Sequence, residues 1–288
     1  MSSEAALRLN PSRKASNMPI SGTNGLSIYY EKVGLGPPLI LIPALPFDHN
    51  NWIYQVERFS EKFTTIAVDL RGLGQSAPCA DPFTLDDMAK DILGVMSDQG
   101  MTEGAVVMGC STGSKIALHL GCHYPSYFRA VIVVGGNSGQ QPIFEERIRS
   151  YRAHAQSGTL RQLHLSHLKY GVTQKWANSK IGRYLLSGFL ERGEDLDPET
   201  VIRIFEVLTE STLRPYLSRF KLPALIVNGE FDTALAGGTE TSKLIPGVEH
   251  KIIKDTGHCC FMEDPAEFNF IVQDFLTRHG IWPRRARP

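Results

Sequence analysis

Residues 105–115 read AVVMGCSTGSK, an apolar run that leads through a glycine-rich turn into a segment with helical spacing. Within it, Gly109, Ser111 and Gly113 form the pattern G-x-S-x-G. A strand that passes through such a turn into a helix places the serine on a strained bend with positive φ, where flanking side chains would collide with the neighbouring strand and helix. The pattern predicts that Ser111 is a nucleophile at a helix N-terminus, where amide N–H groups favour an anion. The alternative is a turn in which Ser111 only caps the helix.

Two further segments supply the partners that a nucleophilic serine requires, in the chain order Ser, Asp, His. Asp232 follows the apolar run 224–228, and His258 follows the apolar run 250–253. A serine hydroxyl is a poor nucleophile at neutral pH, so it needs an imidazole to accept its proton and a carboxylate to orient that imidazole. We therefore expect Ser111, Asp232 and His258 to form a catalytic triad.

Two of these residues have alternatives. His258 could be an ordinary surface or core histidine, and Asp232 could be a helix cap or Asx turn, with Asp255 or Glu230 as the acid in its place. We favour Asp232, because Asp255 is too close to His258 in sequence to approach its ring from the correct side. The other histidines lack metal-binding spacing, so we expect no metal and no cofactor.

The rest of the chain indicates an α/β fold with a mostly parallel central sheet flanked by helices. A hairpin over 17–22 and 26–33 opens the pattern, and short runs rich in Ile, Val and Leu then alternate with helical segments. The predicted strands are 39–42, 65–70, 105–109, 130–134, 224–228 and 250–253, and the predicted helices are 51–60, 85–99, 112–123 and 265–278.

The alternation of strands and helices lapses between residues 139 and 221, which predicts an inserted helical lid over the ends of the sheet. We expect four helices there, at 144–156, 159–168, 175–190 and 198–209. The chain then divides into a flexible N-terminal segment (1–18), an α/β core (19–138 and 222–288) and a helical cap (139–221). Several lid residues are candidates for a substrate pocket, and for each of them the alternative is core packing or a position on a solvated face. They are Trp176, His164, His167, Tyr170, Arg183, Tyr184 and Phe189.

Composition excludes several other classes of protein. The 288 residues carry 30 Lys plus Arg against 30 Asp plus Glu, and 42% are hydrophobic, so a packed core is expected and a nucleic-acid partner is not. No stretch approaches the roughly 20 apolar residues that span a bilayer, and the first 18 residues have no apolar run of about 7 to 15 residues, so we expect no secretory signal. We expect a cytoplasmic protein with five free thiols, a small-molecule substrate and no membrane partner; a homodimer is left open.

The chain resembles the α/β-hydrolase fold family over nearly its whole length. The serine elbow and the order of the triad carry the resemblance, together with two further motifs. Residues 69–76 match the family's D-x-R-G-x-G-x-S turn, to which we give a structural role, and His258 is followed by Glu263, Pro265 and an amphipathic helix.

The resemblance also implies an oxyanion hole. In the family its two backbone N–H donors come from the residue after the nucleophile and from a His-Gly-x loop, which correspond here to Thr112 and Leu45. This chain has Pro43-Ala44 in place of His-Gly, but Thr112 and Leu45 both keep the N–H that the hole requires.

The activity that the resemblance implies is cleavage of a carboxylic ester or lactone through an acyl-enzyme, without a cofactor. The missing His-Gly and the size of the lid resemble the 3-oxoadipate enol-lactonase-like enzymes. The Gly-Cys-Ser-x-Gly elbow also resembles fungal lactonases that open resorcylic lactones, but these take their acid from an earlier strand, where this chain has Asn137. A serine at position 111, rather than an aspartate, disfavours epoxide hydrolases and haloalkane dehalogenases.

Three other uses of the same scaffold stay open on sequence alone. The triad could hydrolyse a carbon–carbon bond next to a carbonyl, it could act with peroxide, or the protein could be a ligand receptor without turnover. Lys115 is unusual in the first turn of the elbow helix, where the helix dipole disfavours a cation. It is either solvated or in contact with an acidic group of the substrate.

Overall fold

The computed structural model describes residues 20–23, 25–79, 81–139, 143–193 and 196–283. The predicted flexible segment 1–18 lies outside these residues. The strands within the described ranges are β1 (Ile20–Thr23), β2 (Leu26–Val33), β3 (Pro38–Ile42), β4 (Thr64–Val68), β5 (Ala105–Cys110), β6 (Phe128–Val134), β7 (Ala224–Gly229) and β8 (Glu249–Ile253).

The strands form one sheet in the order β1-β2-β4-β3-β5-β6-β7-β8. The pairs β1–β2 and β2–β4 are antiparallel, and β3 to β8 run parallel. Both faces of the parallel part are covered, so its strands are nearly continuous apolar runs: Ile40 and Ile42 enter one core cluster, whereas Leu39 and Leu41 enter the other. The predicted α/β fold with a mostly parallel sheet is confirmed.

The described helices that come before β6 in the chain lie close to their predicted positions. They are α1 (Ile53–Phe59), α2 (Leu85–Asp98) and α3 (Thr112–His123), with short 3₁₀ turns at His49–Trp52 and Pro125–Tyr127. The start of α2 shows why: Thr84 and Asp87 form a reciprocal capping box, the pattern by which a helix start is recognised in a sequence.

The segment between β6 and β7 is helical, as expected. It contains α4 (Ile143–Ser157), α5 (Leu160–Tyr170), α6 (Gln174–Ala177), α7 (Lys180–Arg192), α8 (Pro198–Glu210) and α9 (Arg214–Leu217). After β7 come α10 (Leu235–Ser242), α11 (Cys260–Glu263) and α12 (Pro265–Arg278); the short helices α9, α10 and α11 were not predicted. The division of the chain into core and cap stays a prediction.

The prediction of a single helix over 175–190 is wrong. Helix α6 ends at Ala177, and the side chain of Ser179 accepts the N–H of Gly182 at 2.9 Å, which starts α7. The two helices meet closely, because a Cβ at Gly182 would lie only 2.0 Å from the carbonyl oxygen of Trp176.

The turn at residues 69–76 has the structural role expected of it. The carboxylate of Asp69 makes two contacts with His49: it accepts the backbone N–H of His49 at 2.7 Å and lies 2.8 Å from the ring Nδ1. It also accepts the N–H of Gln75 at 2.8 Å. Arg71 forms a bidentate pair with Asp91 in α2 at 2.8 and 2.9 Å. Asp69 thereby anchors the segment that follows the loop at residues 43–46.

The buried pair of His49 and Asp69 makes stability depend on pH. Burial lowers the pKa of His49, but hydrogen bonds to Asp69 and Glu31 outweigh burial and raise it from 6.5 to about 10. The imidazolium therefore contributes fully to the stability of the folded state below pH 6.5, and this contribution is lost as the pH rises through about 10.

We expect the substitution His49→Gln to lower the free energy of unfolding by about 3 kcal/mol at pH 6, because it leaves the buried Asp69 carboxylate without a cation. The deficit should shrink toward pH 10, where wild-type His49 loses its charge. Urea denaturation of both proteins at several pH values measures this. A deficit that stays constant over the range would contradict the charged pair.

Candidate active site

Ser111 lies in the sharp turn between β5 and α3. Its φ is 51° and its ψ is −109°, a conformation that costs a non-glycine residue about 1–3 kcal/mol and persists only where surrounding contacts enforce it. Its backbone N–H donates to the carbonyl of Val134 at 2.9 Å, and its side chain makes no capping hydrogen bond to α3. The predicted strand–turn–helix elbow is confirmed, and the capping alternative for Ser111 is wrong.

The glycines on either side of the serine allow this turn to pack. A Cβ at Gly109 would lie 2.0 Å from the carbonyl oxygen of Gly113, and a Cβ at Gly113 would lie 2.3 Å from the carbonyl oxygen of Ile42. The first turn of α3 is thus packed against the end of β3. This contact brings the helix N-terminus, with the N–H of Thr112, next to the loop that carries Leu45.

His258 and Asp232 form a hydrogen-bonded pair, with His258 Nδ1 2.7 Å from Asp232 Oδ1. Asp232 also accepts the N–H of Ala234 at 2.8 Å and the side-chain N–H of Asn228 at 2.7 Å, so it both caps a turn and orients the imidazole. Of the other two acids considered, Glu230 accepts the backbone N–H of Asp255 at 3.0 Å, and neither acid lines the cavity that contains Ser111 and His258.

The electrostatics of this pair favour an ion pair. Burial acts to raise the pKa of Asp232, but the charge and hydrogen bond of His258, with the N–H donors, hold it below its usual value. Burial acts to lower the pKa of His258, but Asp232 outweighs it and raises the pKa to about 9. Asp232 therefore holds the Nδ1–H of His258, and Nε2 can accept a proton once the imidazolium has lost its second proton, as the pH rises toward about 9.

Backbone contacts hold the loop of Asp232 against the loop of His258. The N–H of Glu230 donates to Ile253 O and the N–H of Phe231 to Thr256 O, both at 2.9 Å. At Gly229 a Cβ would lie 2.1 Å from the carbonyl oxygen of Gly257. The loops that follow β7 and β8 consequently meet at the carboxyl edge of the sheet, where open α/β sheets place their sites.

Sequence reasoning missed Gly135, which makes room for the imidazole. It follows β6 with a φ of 58°, and a Cβ there would lie 2.7 Å from His258 Cε1 and 3.3 Å from Asp232 Oδ2. The available signal was a pair of glycines, Gly135 and Gly136, directly after a buried strand.

A cavity of about 300 Å³ brings the predicted site residues together. Ser111, His258, Leu45 and Thr112 all line it. The other lining residues are Ala44, Phe47, Lys115, Gly135, Asn137, Phe144, Arg147, His167, Tyr170, Gly171, Phe205, Leu208, Thr233 and Ala234.

Trp176 requires a correction, because it does not line this cavity. It lines a separate, shallower one with Thr173 and Ser179, and it is 9% exposed within an apolar core cluster. It packs against the apolar side chains of this cluster instead, which is the core-packing alternative stated for it. Of the other lid candidates, only His167 and Tyr170 line the cavity of Ser111, and Tyr184 is 70% exposed.

Lys115 is buried, so the solvated alternative is wrong. Its Nζ donates to the carbonyl oxygens of Leu208 at 2.6 Å, Ser211 at 2.7 Å and Gly139 at 3.3 Å, and burial lowers its pKa to about 8. A lysine in the first turn of the elbow helix thus ties that helix to the ends of the inserted segment.

Glu263 makes a second tie, between the loop of His258 and the inserted segment. Its Oε1 accepts the N–H of Gly257 at 2.7 Å, and its Oε2 accepts the N–H and hydroxyl of Thr173 at 3.0 and 2.5 Å. Burial raises the pKa of Glu263 against these hydrogen bonds. The bond to Gly257 acts on the residue directly before His258, which makes Glu263 a positioning residue for the imidazole.

The described residues contain neither a metal site nor a membrane-spanning helix. No group of three or more His, Cys, Asp or Glu side chains is arranged to hold a metal, and no helix in those ranges combines the length and apolar character needed to cross a membrane. All five cysteines are free, as predicted.

Comparison with known proteins defines the family. The family model described as alpha/beta hydrolase fold matches residues 37–265, and the chain therefore belongs to the α/β-hydrolase fold family. It is 25% identical over 259 residues to 3-oxoadipate enol-lactonase 2 of Acinetobacter baylyi, covering 84% of this chain and 89% of that protein. It is 24% identical over 250 residues to pimeloyl-(acyl-carrier protein) methyl ester esterase of Vibrio vulnificus, covering 84% and 94%.

Among solved structures, the enol-lactonase from Burkholderia xenovorans LB400 superposes with a TM-score of 0.82. The superposition covers 90% of this chain and all (100%) of that chain at 24% identity, and it establishes the shared fold.

We expect Glu263→Gln to lower kcat for an ester about ten-fold while KM changes less than about two-fold, because the amide N–H₂ opposes a backbone N–H and displaces His258 from its alignment. Steady-state kinetics measure both constants. The exposed Glu267, near the start of α12, provides the matched control Glu267→Gln, which should behave as wild type. A variant with reduced thermal stability but unchanged kcat would show that Glu263 is only structural.

Proposed function

We propose that this protein is a cofactor-independent serine hydrolase that cleaves a carboxylic ester or a lactone through an acyl-enzyme. The observation that carries the proposal is the convergence of Ser111, on its strained elbow, and the His258–Asp232 pair at one cavity. The similarity to an enol-lactonase and a methyl ester esterase supports the substrate class.

In the proposed mechanism, Ser111 Oγ attacks the carbonyl carbon of the substrate. His258 Nε2 takes the hydroxyl proton, while Asp232 holds the Nδ1–H and stabilises the imidazolium that forms. The imidazolium then gives its proton to the departing alkoxide, which leaves an ester on Ser111. A water molecule, deprotonated by the same imidazole, releases the acid and restores the serine hydroxyl.

Charge on the carbonyl oxygen would be stabilised by two backbone N–H groups. Thr112 is the first residue of α3, where a helix leaves its N–H groups without internal partners. Neither Thr112 nor Leu45 uses its N–H in a hydrogen bond to another described residue, and both residues line the cavity beside Ser111. Loss of one such donor typically costs about 3–4 kcal/mol of transition-state stabilisation.

The size of the cavity favours compact substrates. Its volume of about 300 Å³ is at the lower end of the range of about 300–1,000 Å³ that small-molecule sites occupy. We therefore expect short-chain esters and small lactones to react faster than long-chain lipid esters.

The pKa of about 9 for His258 predicts the pH dependence of hydrolysis, because only the neutral imidazole accepts the serine proton. The value of kcat/KM should rise about ten-fold per pH unit at low pH and level off near pH 9. In Asp232→Asn the pH at which kcat/KM levels off should be lower, because the imidazole loses the carboxylate that raises its pKa. The maximal rate should also be lower by about 10⁴-fold. A wild-type profile that is flat between pH 6 and pH 9 would contradict the role of His258.

The nucleophile is tested by intact-mass spectrometry after treatment with a fluorophosphonate. Wild type should gain one adduct, and Ser111→Ala should gain none and hydrolyse 4-nitrophenyl acetate at least about 1,000-fold more slowly. Ser126→Ala, at an exposed serine, is the matched control and should label fully. Full residual activity in Ser111→Ala, or no adduct on folded wild type, would overturn the proposal.

A further inference from the structure

Arg147 on α4 reaches the cavity that holds Ser111 and His258. Its guanidinium stacks on the ring of Tyr170, with Arg147 Cζ 5.6 Å from the ring centroid. Among the described residues no ion pair or hydrogen bond satisfies its five N–H donors, and burial lowers its pKa. Half-burying a guanidinium without an anionic partner costs solvation free energy, and an anionic ligand would offset this cost.

The charges of the side chains around the cavity also favour an anionic ligand. The side chains that line it include the cations Lys115 and Arg147, together with the imidazole of His258, which is paired with Asp232, and among these described lining residues none carries a carboxylate. Two acids lie near but do not face it: Asp232 is paired with His258, and Glu146, which precedes Arg147, lines a cavity on the outer side of α4. The cavity is therefore positive in potential.

The two cations are not equivalent. The Nζ of Lys115 donates to three backbone carbonyl oxygens, at Leu208, Ser211 and Gly139, which uses all of its N–H groups. The planar guanidinium of Arg147 keeps its paired donors, in the geometry that binds both oxygens of a carboxylate. Arg147 is thus the residue that a substrate anion can reach.

We propose that Arg147 binds a carboxylate on the substrate, so that the preferred ester or lactone carries a second, free acid group. This inference rests on the proposed function and specifies its substrate class. The small cavity and the single available guanidinium favour one carboxylate group on a compact molecule over a long chain or a phosphate dianion.

The surroundings of Arg147 suit this role. His167 lines the cavity beside it, and burial together with the charge of Arg147 lowers the pKa of His167 to about 4. His167 is therefore a neutral hydrogen-bonding group at pH 7. Arg147, His167 and Tyr170 also line a second cavity of about 260 Å³ on the outer side of α4, so these three side chains form the wall between the two cavities.

The test compares two esters of equal chain length, methyl pentanoate and monomethyl glutarate, of which only the second carries a carboxylate. Wild type should show the higher kcat/KM for monomethyl glutarate. Arg147→Met should reduce that value about 100-fold while changing the value for methyl pentanoate less than about two-fold, because only the charged ester loses a partner. Arg147→Lys should recover part of the loss, since it restores the charge without the fork.

Arg149→Met is the matched control, because Arg149 is exposed on the same helix and does not line the cavity. It should leave both rates unchanged. Equal kcat/KM for the two esters in wild type, or equal losses for both esters in Arg147→Met, would overturn the inference while leaving the proposed hydrolase intact.

A binding measurement separates this inference from the proposed activity. Glutarate should raise the melting temperature of wild type and of Arg149→Met but not that of Arg147→Met. If glutarate stabilises in this pattern and neither ester is hydrolysed, the anion site stands and the proposed function falls. If inorganic phosphate stabilises wild type and glutarate does not, the carboxylate assignment is overturned.

Discussion

The candidate site depends on one backbone constraint, the positive φ at Ser111 between β5 and α3. Its strain is sustained by the hydrogen bond from Ser111 N–H to Val134 O and by the absence of side chains at Gly109 and Gly113. Either glycine replaced by alanine would force a Cβ into backbone atoms at about 2 Å. Because the helix begins at the next residue, the same constraint aims the hydroxyl and the N–H of Thr112 at one cavity.

The other functional groups reach that cavity because parallel strands end at a common edge. Asp232 follows β7 and His258 follows β8, and backbone hydrogen bonds hold their loops together. The inserted helices are then tied to this edge by two buried polar groups, Lys115 from the elbow helix and Glu263 beside His258. These hydrogen bonds link the inserted segment to both sides of the proposed catalytic machinery, and Arg147 brings its charge from that segment into the same cavity.

Sequence patterns predicted the parts of the site that depend on local structure. The elbow is encoded by residues that are adjacent in the chain, and Asp232 and His258 each follow a recognisable buried strand, so their convergence follows from topology. The features that sequence reasoning missed, the need for Gly135 and the burial of Lys115, depend on contacts between distant segments. Gly135 is needed because an imidazole from residue 258 fills its Cβ position, and Lys115 is buried because carbonyl groups about a hundred residues away surround it. Trp176 was misplaced because it packs into an apolar core cluster beside a second cavity, a contact between segments that the sequence pattern does not show.

The central claim is that the elbow, the imidazole and the backbone N–H groups act on one tetrahedral centre. A crystal structure of the fluorophosphonate adduct tests it most directly, because the phosphonate has the shape and charge of that centre. The account predicts phosphorus bonded to Ser111 Oγ, its oxygen about 2.7–3.1 Å from the N–H groups of both Thr112 and Leu45, and His258 Nε2 facing the bonded oxygen. An adduct whose phosphoryl oxygen points away from both N–H groups, or which forms on another residue, would contradict it.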